Sequence, residues 1–212
     1  MRRPARRSLG DGPRRPLRYA LLDSPLGPLL AAASGRGVAR LAFADRGAEP
    51  LLEELALRTG VEPRPDRRAL ARLARELDAY FLRRARAFSS PVDLSLVPEG
   101  FARRVLEATA RIPYGTVATY GRIAALAGSP RAARAAGNAL SGNPVALLVP
   151  CHRVVPADGT IGGYGGDEAR KEALLRLEGA LADAAPGRVS LRRPPDAREG
   201  ARSDPARGSL VV

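Results

Sequence analysis

Short apolar segments separated by turn residues dominate the chain after residue 16. Three such segments, 17–22, 27–34 and 38–44, have the length and composition of β-strands. The residues between them are rich in Gly, Ser, Pro and Asp, which favour tight turns. The pattern therefore predicts three strands joined by hairpin turns.

The apolar spacing then changes to a helical period. Residues 50–58 are a short helix candidate, and Asp66 begins a stronger one. The apolar residues of this second helix share one face: Leu70, Leu73, Leu77, Tyr80 and Phe81. Its arginines are expected to form a solvated face, and the Pro that follows Ser89 and Ser90 marks a boundary. We therefore expect a small α+β domain over residues 17–90.

Helical patterns continue beyond this boundary. A first helix, which ends before Pro113, has an apolar face made of Phe101, Val105, Leu106 and Ala108. Thr119 can cap a second helix that runs to Leu126. Pro130 is suited to the start of a third, which continues to about Ser141. Two short helices joined by a Gly-containing turn predict a helix-turn-helix.

The last third of the chain ends in a helix and a polar tail. Glycines are concentrated in residues 159–166, and a final helix is expected from Asp167 to about Leu181. Residues 1–16 and 183–212 are rich in Arg, Pro and Gly and poor in apolar residues, which predicts a disordered basic arm and a disordered tail. The pattern as a whole predicts an α+β protein whose second, mainly helical domain covers residues 91–182.

Composition narrows the classes of function. A net charge of +13 suits a polyanion such as DNA. However, Lys171 is the sole lysine among 35 Lys and Arg residues, and a bias in codon composition would give the same picture, so charge supports nucleic-acid binding only weakly. No apolar run approaches the roughly 20 residues of a membrane span. The N-terminus also lacks the apolar segment of a secretory signal, so we expect a cytoplasmic protein.

The only cysteine and the only histidine of the chain are adjacent, at Cys151 and His152. An apolar run, 145–149, precedes them and ends at Pro150. One cysteine excludes a disulfide within the chain and a zinc cluster of the CxxC type, and it leaves no second thiol for a redox cycle. Local chemistry leaves two interpretations open: a displayed nucleophile, or a small core residue with a chance neighbour.

Several motifs in register resemble the O6-alkylguanine-DNA alkyltransferases, the methylated-DNA–protein-cysteine S-methyltransferases. The resemblance covers about residues 99–181. Its motifs are Pro150-Cys151-His152-Arg153-Val154, Ile112-Pro113-Tyr114-Gly115-Thr116-Val117, Tyr120-Gly121-Arg122-Ile123-Ala124, Arg131-Ala132-Ala133-Arg134-Ala135-Ala136-Gly137, Gly142-Asn143-Pro144, Gly163-Tyr164-Gly165-Gly166 and Leu177-Glu178-Gly179. It implies an α+β fold with a small ribonuclease H-like N-terminal domain. A mainly helical, winged helix-turn-helix-like domain would then carry the active-site cysteine.

The same resemblance implies DNA repair by direct alkyl transfer. The substrate would be O6-alkylguanine in double-stranded DNA, with O4-alkylthymine an open second substrate, and the acceptor would be Cys151. The protein would bind the minor groove and flip the damaged nucleotide out of the stack. Because a thioether is stable, each molecule would act once. No cofactor and no metal are expected, and the protein is expected to be a monomer.

The resemblance also implies catalytic roles for residues that match the family's motifs. Cys151 would be the nucleophile. Adjacent residues on a helix point about 100° apart, so a direct contact between Cys151 and His152 is not expected; the resemblance implies that a water links the thiol to the imidazole. Glu178 would hold the other ring nitrogen of His152. Tyr120, and more weakly Lys171, would donate to the leaving guanine.

Further matching residues would bind the base and the DNA. Asn143 corresponds to a hinge between the helix-turn-helix and the active-site loop. The base pocket would consist of Tyr164 and the backbone of Val154 and Gly165. Arg134 would fill the gap left in the base stack, and the residues beside it that would contact DNA are Arg131, Ala132, Ala133 and Gly137. Small residues on a helix favour helix packing about equally well, which leaves that alternative open.

Two other functions are alternatives to alkyl transfer. An alkyltransferase-like binding protein would recognise lesions without repairing them, but such proteins lack the reactive cysteine that this chain has at Cys151. A thiol hydrolase with a Cys-His-Glu set would leave Arg134 within its small-residue helix unexplained. Transfer of a labelled methyl group from DNA to protein distinguishes all three.

Overall fold

The N-terminal sheet is built on the three apolar segments, in a computed structural model that describes residues 17–181 and the backbone of 210–211. Its strands are β1 (Arg18–Leu22), β2 (Leu29–Ala33), β3 (Val38–Phe43), β4 (Arg64–Pro65), β5 (Val92–Asp93) and β8 (Leu210–Val211). The order across the sheet is β4-β1-β2-β3-β5-β8. The hairpin pairs β1–β2 and β2–β3 are antiparallel, which confirms the three predicted strands.

A glycine between β2 and β3 lets two segments of backbone approach closely. The Val38 amide donates to the Pro91 carbonyl at 2.8 Å, which brings the segment of Pro91 against the hairpin. A Cβ atom at Gly37 would overlap that carbonyl oxygen, and Gly37 has a φ of 154°. The segment that starts β5 therefore belongs to the N-terminal sheet, two residues beyond the boundary predicted at residue 90.

Two helices accompany this sheet. The first, α1, spans Glu49–Thr59 as predicted, and the second, α2, spans Ala71–Phe81. The predicted start of α2 at Asp66 is wrong, because the Asp66 carboxylate accepts a hydrogen bond from the Ala69 amide and caps a separate turn. The apolar face of α2 is buried as expected.

The C-terminal part is mainly helical. Its helices are α3 (Phe101–Thr109), α4 (Tyr120–Leu126), α5 (Ala133–Ser141) and α6 (Glu168–Leu177), and its two short parallel strands are β6 (Ala118–Thr119) and β7 (Val154–Val155). Helices α3, α4 and α5 pack on one another. The Thr119 side chain caps α4 by accepting from the Arg122 amide, as predicted. The α+β class, with a sheet domain followed by a helical domain, is confirmed.

Two helix boundaries differ from the prediction. The third helix of this part begins at Ala133 rather than Pro130, because the Ala132 amide closes a turn onto the Ser129 carbonyl. The last helix ends at Leu177 rather than near residue 181. There Gly179 adopts a left-handed φ of 71°, and the Ala180 amide turns back to the Leu175 carbonyl, which is the geometry of a Schellman cap.

The predicted basic arm, 1–16, and nearly all of the predicted tail, 183–212, lie outside the described residues. Within residues 17–181, the helices are too short and too polar to span a membrane.

Candidate active site

The segment that leads to Cys151 is bonded to the N-terminal sheet. The Leu41 amide of β3 donates to the Pro144 carbonyl at 2.9 Å, and the Ala146 amide donates back to the Leu41 carbonyl at 2.8 Å. Val145, Leu147 and Val149 are buried, as the apolar run predicted. Leu147 has a φ of 70°, a left-handed conformation that is rare for a residue with a branched side chain. Packing thus fixes the backbone just before the nucleophile.

Cys151 lies at the start of a short 3₁₀ helix, Cys151–Arg153, and is half-buried. Its sulfur accepts a hydrogen bond from Asn143 Nδ2 at 3.1 Å. Burial raises the pKa of the Cys151 thiol, while the Asn143 amide and the nearby Lys171 ammonium oppose that rise. The resting thiol is therefore protonated, and the site must remove its proton before the sulfur can react.

His152 and Glu178 form a buried pair behind the thiol. His152 Nε2 and Glu178 Oε1 are 2.9 Å apart, and neither side chain is exposed. Burial lowers the pKa of His152, although Glu178 opposes the change, so the imidazole is neutral at pH 7. With its Nε2 proton donated to Glu178, the ring presents an unprotonated Nδ1. That atom is buried and has no hydrogen-bond partner within residues 17–181.

Arg153 completes the carboxylate site. Its Nε donates to Glu178 Oε2 at 2.8 Å and its Nη2 donates to Glu178 Oε1 at 2.9 Å. Burial alone would raise the pKa of Glu178, but His152 and Arg153 lower it well below its usual range. Glu178 is thus ionised, and the Schellman cap directs it into the protein from the end of α6. The motif included Arg153 but gave it no role.

Tyr80 reaches the same carboxylate from the N-terminal domain. Its hydroxyl donates to Glu178 Oε1 at 2.7 Å, across 98 residues of sequence. The sequence placed Tyr80 on the apolar face of α2 and gave no signal for this contact, because a buried aromatic residue at helical spacing is ordinarily core.

Lys171 lies beneath the site rather than free within it. It is fully buried, and its Nζ donates to the carbonyls of Val154 at 2.7 Å and of Gly163 at 3.3 Å. Burial lowers the pKa of Lys171 to about 8. The ammonium therefore joins β7 to the Gly-rich segment and places a positive charge near the thiol.

A cleft of about 1100 Å³ opens over Cys151. The cleft is lined by Tyr120, Asn143, Tyr164 and Gly165, and the Val154 side chain is fully buried behind it. The Tyr164 hydroxyl is buried without a hydrogen-bond partner in residues 17–181. The opposite wall belongs to the N-terminal domain and includes Phe43, Asp45, Pro50 and Leu51. Sequence patterns gave no indication of this wall.

Arg170 holds the two walls together. Its guanidinium donates to both carboxylate oxygens of Asp45, at 2.8 and 3.0 Å, and its Nε donates to the Leu26 carbonyl at 3.0 Å. The guanidinium also stacks 3.9 Å above the Phe43 ring. No pattern in the sequence indicates this contact.

The residues predicted to contact DNA lie on and just before α5. Arg134 and Arg131 are exposed, and Ala132 and Ala133 are partly buried beside them. Gly137 lies on another part of the helix, where an added Cβ would meet the Tyr120 ring at 3.7 Å. Gly137 and Tyr120 therefore lie side by side in the lining of the cleft.

Comparisons with known proteins agree with this geometry. Residues 17–94 match the ribonuclease-like domain of 6-O-methylguanine DNA methyltransferase, and residues 100–180 match its DNA binding domain. The methylated-DNA–protein-cysteine methyltransferase of Mycobacterium leprae is 42% identical over 150 residues, which cover 71% of this chain and 85% of that protein. The human protein of that name is 45% identical over 108 residues, 49% of this chain and 52% of its own.

Solved structures agree with these sequence relatives. The O6-methylguanine methyltransferase of Mycobacterium tuberculosis is 40% identical, with a TM-score of 0.66 over 80% of this chain and 96% of its own. OGT of the same organism in complex with DNA is 40% identical, with a TM-score of 0.66 over 76% of this chain and 92% of its own. Both domains match those of known proteins, and the cysteine site lies between them. The chain therefore belongs to the 6-O-methylguanine DNA methyltransferase family.

Proposed function

We propose that this protein repairs DNA by transferring the alkyl group of O6-alkylguanine to the sulfur of Cys151. The observation that carries the proposal is a single thiol, bonded to Asn143, at the floor of an open cleft and next to a buried His152–Glu178 pair. The relatives are named for this reaction, and the residues that match the family cover both domains.

The first step is removal of the thiol proton. The neutral His152 ring has a free lone pair on Nδ1 and is held by Glu178 through Nε2, so it is suited to accept that proton through a bridging water. The resulting imidazolium is stabilised by the ionised Glu178. Asn143 Nδ2 and the Lys171 ammonium then stabilise the thiolate.

The second step is a displacement at the alkyl carbon. The thiolate forms a new S–C bond as the C–O6 bond breaks, and the bonding electrons pass to the guanine. Tyr120 lines the cleft, and its pKa is raised by burial and by the nearby sulfur, so its hydroxyl keeps its proton and serves as the donor to the departing base. Lys171 already donates to two carbonyls, which suits it to a supporting electrostatic role.

DNA binding would use the α4–α5 pair. Arg134 is exposed on α5, next to small residues that allow close approach to a groove. Its side chain would enter the base stack when the damaged nucleotide is flipped out. The flipped base would then enter the cleft beside Tyr164 and Gly165. We also propose minor-groove binding, a monomer and a cytoplasmic location. The N-terminal domain would end with β5, and the helical domain that follows would bind DNA and accept the alkyl group.

A stoichiometric titration tests the proposal. Excess duplex oligonucleotide with one O6-methylguanine should leave every protein molecule carrying one methyl group, with a plateau at one equivalent and a matching mass increase by intact mass spectrometry. Cys151→Ala should accept no methyl group while it still binds the duplex. Repeated turnover by the wild type, or methylation of the alanine variant, would contradict the proposal.

A further inference from the structure

Tyr80 lies in the N-terminal domain, yet its one polar atom belongs to the active site. The residue is 1% exposed, and its ring packs against Phe81, Phe88 and Tyr114 at centroid distances of 5.2, 5.2 and 6.1 Å. Its hydroxyl leaves this apolar cluster and donates to Glu178 Oε1 at 2.7 Å. Burial and the facing Glu178 raise the pKa of Tyr80, so the hydroxyl remains a donor across the physiological range.

That oxygen of Glu178 accepts more than one hydrogen bond. Oε1 also lies 2.9 Å from His152 Nε2 and 2.9 Å from Arg153 Nη2. Donors to one carboxylate oxygen share its electron density, so each added donor weakens the pull that the oxygen exerts on the others. Tyr80 and His152 therefore compete for the same acceptor.

We propose that Tyr80 is a positioning residue for alkyl transfer: its hydroxyl fixes Glu178 and sets how strongly that carboxylate draws the Nε2 proton of His152. The proposal rests on the proposed transfer to Cys151. It makes the N-terminal domain part of the proton-accepting system of the site, through one hydrogen bond that crosses between the domains.

The charged and titratable groups around the pair come from several elements. Arg153 faces Glu178 from the 3₁₀ helix, Lys171 faces His152 from α6, and Tyr114 faces Glu178 from the turn before β6. The Tyr164 ring packs edge-on against the His152 ring, with 6.5 Å between the ring centroids, and Cys151 precedes His152 in the chain. Replacing Tyr80 by Phe removes one oxygen and leaves all of these groups in place.

Removing the Tyr80 hydroxyl should raise the pKa of His152. Without the Tyr80 hydroxyl, Glu178 Oε1 interacts more strongly with His152, which stabilises the protonated imidazole and raises its pKa. Only part of the strength of a hydrogen bond to a charged group differs between the two protonation states of His152, so we expect its midpoint to shift by about one pH unit. The imidazole must be neutral to accept the thiol proton. The acid limb of the rate profile should therefore move upward by the same amount, with about a tenfold loss well below its midpoint and little change on the plateau.

The single histidine makes a direct measurement possible. In untagged protein, the imidazole NMR signals belong to His152 alone, and they can be titrated with pH in wild type and in Tyr80→Phe. Tyr114→Phe is the matched control, because its hydroxyl donates to the Leu177 carbonyl at 3.2 Å and not to the Glu178 carboxylate. The rate at which the free base O6-benzylguanine alkylates Cys151 should be followed over the same pH range.

A second variant with the opposite sign guards against loss of folding. Site-specific 3-fluorotyrosine at position 80 keeps the ring and strengthens the donor, so it should lower the His152 midpoint.

The outcomes separate the possible failures. An upward shift for Tyr80→Phe, a downward shift for fluorotyrosine and none for Tyr114→Phe support the proposal. Unchanged His152 midpoints overturn it, and so does a rate that falls equally at every pH, which a merely structural role would produce. If the wild type fails to react with O6-benzylguanine and with methylated DNA alike, the proposed function fails, whereas the NMR titration still decides the role of Tyr80.

Discussion

At the scale of single residues, Asn143 fixes the geometry of the nucleophile. Its Oδ1 accepts from the Val145 amide at 3.1 Å, and its Nδ2 donates to the Val149 carbonyl at 2.8 Å and to Cys151 Sγ at 3.1 Å. One amide group therefore closes the turn that leads to Cys151 and also contacts the sulfur. A residue that was expected to act as a hinge is, in addition, the hydrogen-bond donor to the thiol.

Removing this amide should make the thiol less acidic. In Asn143→Ala the thiolate loses a hydrogen bond worth about 1.5 kcal/mol or more, so the pKa of Cys151 should rise by about one unit. The rate of alkylation by iodoacetamide as a function of pH measures that pKa without ambiguity, because the chain has one cysteine. Asn138→Ala, at an exposed position of α5, is the matched control. Equal midpoints in Asn143→Ala and wild type would rule out this role.

The sequence predicted the residues of the site better than their contacts. Cys151 and His152 were identifiable because each is unique in the chain, and Glu178 and Asn143 because the motifs around them match the family. Tyr80 and Arg170 were missed because their contacts depend on how the domains pack. Nothing in the apolar period of α2 distinguishes a tyrosine that fills the core from one that also reaches a carboxylate.

At the scale of elements, helices were predicted more reliably than their ends. The cap of Thr119 on α4 follows from a local hydrogen bond, and the sequence predicted it. The starts of α2 and α5 were misplaced because Asp66 and Pro130 belong to turns just before the helices, and such residues favour turns and helix starts alike. The end of α6 was misplaced because Gly179 adopts the left-handed conformation of a helix cap, which the apolar pattern does not show.

The exposed face of α5 should matter for repair of duplex DNA and not for reaction with a free base. Arg134→Ala should slow repair of O6-methylguanine in duplex DNA severely, by about 100-fold if a few kcal/mol of flipping cost is no longer offset. The reaction with free O6-benzylguanine should change little, because that substrate needs no flipping. Single-turnover rates with both substrates provide the test.

Arg134→Lys separates insertion into the stack from simple charge. Lysine keeps the positive charge but loses the planar guanidinium, so it should restore only part of the duplex rate. Near-complete rescue by lysine, together with a defect that shrinks at low salt, would instead indicate a phosphate contact. Equal losses on duplex and free base would mean that the pocket itself has been disturbed.

At the scale of the whole molecule, contacts from several parts of the N-terminal domain reach the active site. The Leu41 backbone binds the segment before Cys151, the Tyr80 hydroxyl binds Glu178, and Asp45 binds Arg170 beside the cleft. The sequence patterns gave no indication of these contacts, because nothing in residues 17–90 suggested chemistry. The N-terminal domain therefore does more than accompany the helical domain: it supports the reactive segment and forms one wall of the cleft.

The contact between Asp45 and Arg170 should couple the two domains measurably. Asp45 is half-exposed, which screens the ion pair, so a double-mutant cycle with Asp45→Ala and Arg170→Ala should give a coupling energy of about 0.5–1 kcal/mol in urea unfolding. Hydrogen exchange in residues 163–167 should increase in both single variants. Strict additivity of the two substitutions, with unchanged exchange, would show that this ion pair does not hold the cleft.

The large sequence separation of these contacts also bears on when the active site forms during folding. Tyr80 and Glu178 are 98 residues apart in the chain, and Asp45 and Arg170 are 125 apart. Pairings across such long loops form late, because the entropy of loop closure must be met before they contribute stability. The strands β1–β3 and the helix pair α4–α5 are local structures that can form first. We therefore expect the activated thiol to be among the last features to form, so that a chain able to react only once becomes reactive only when its DNA-binding helices are in place.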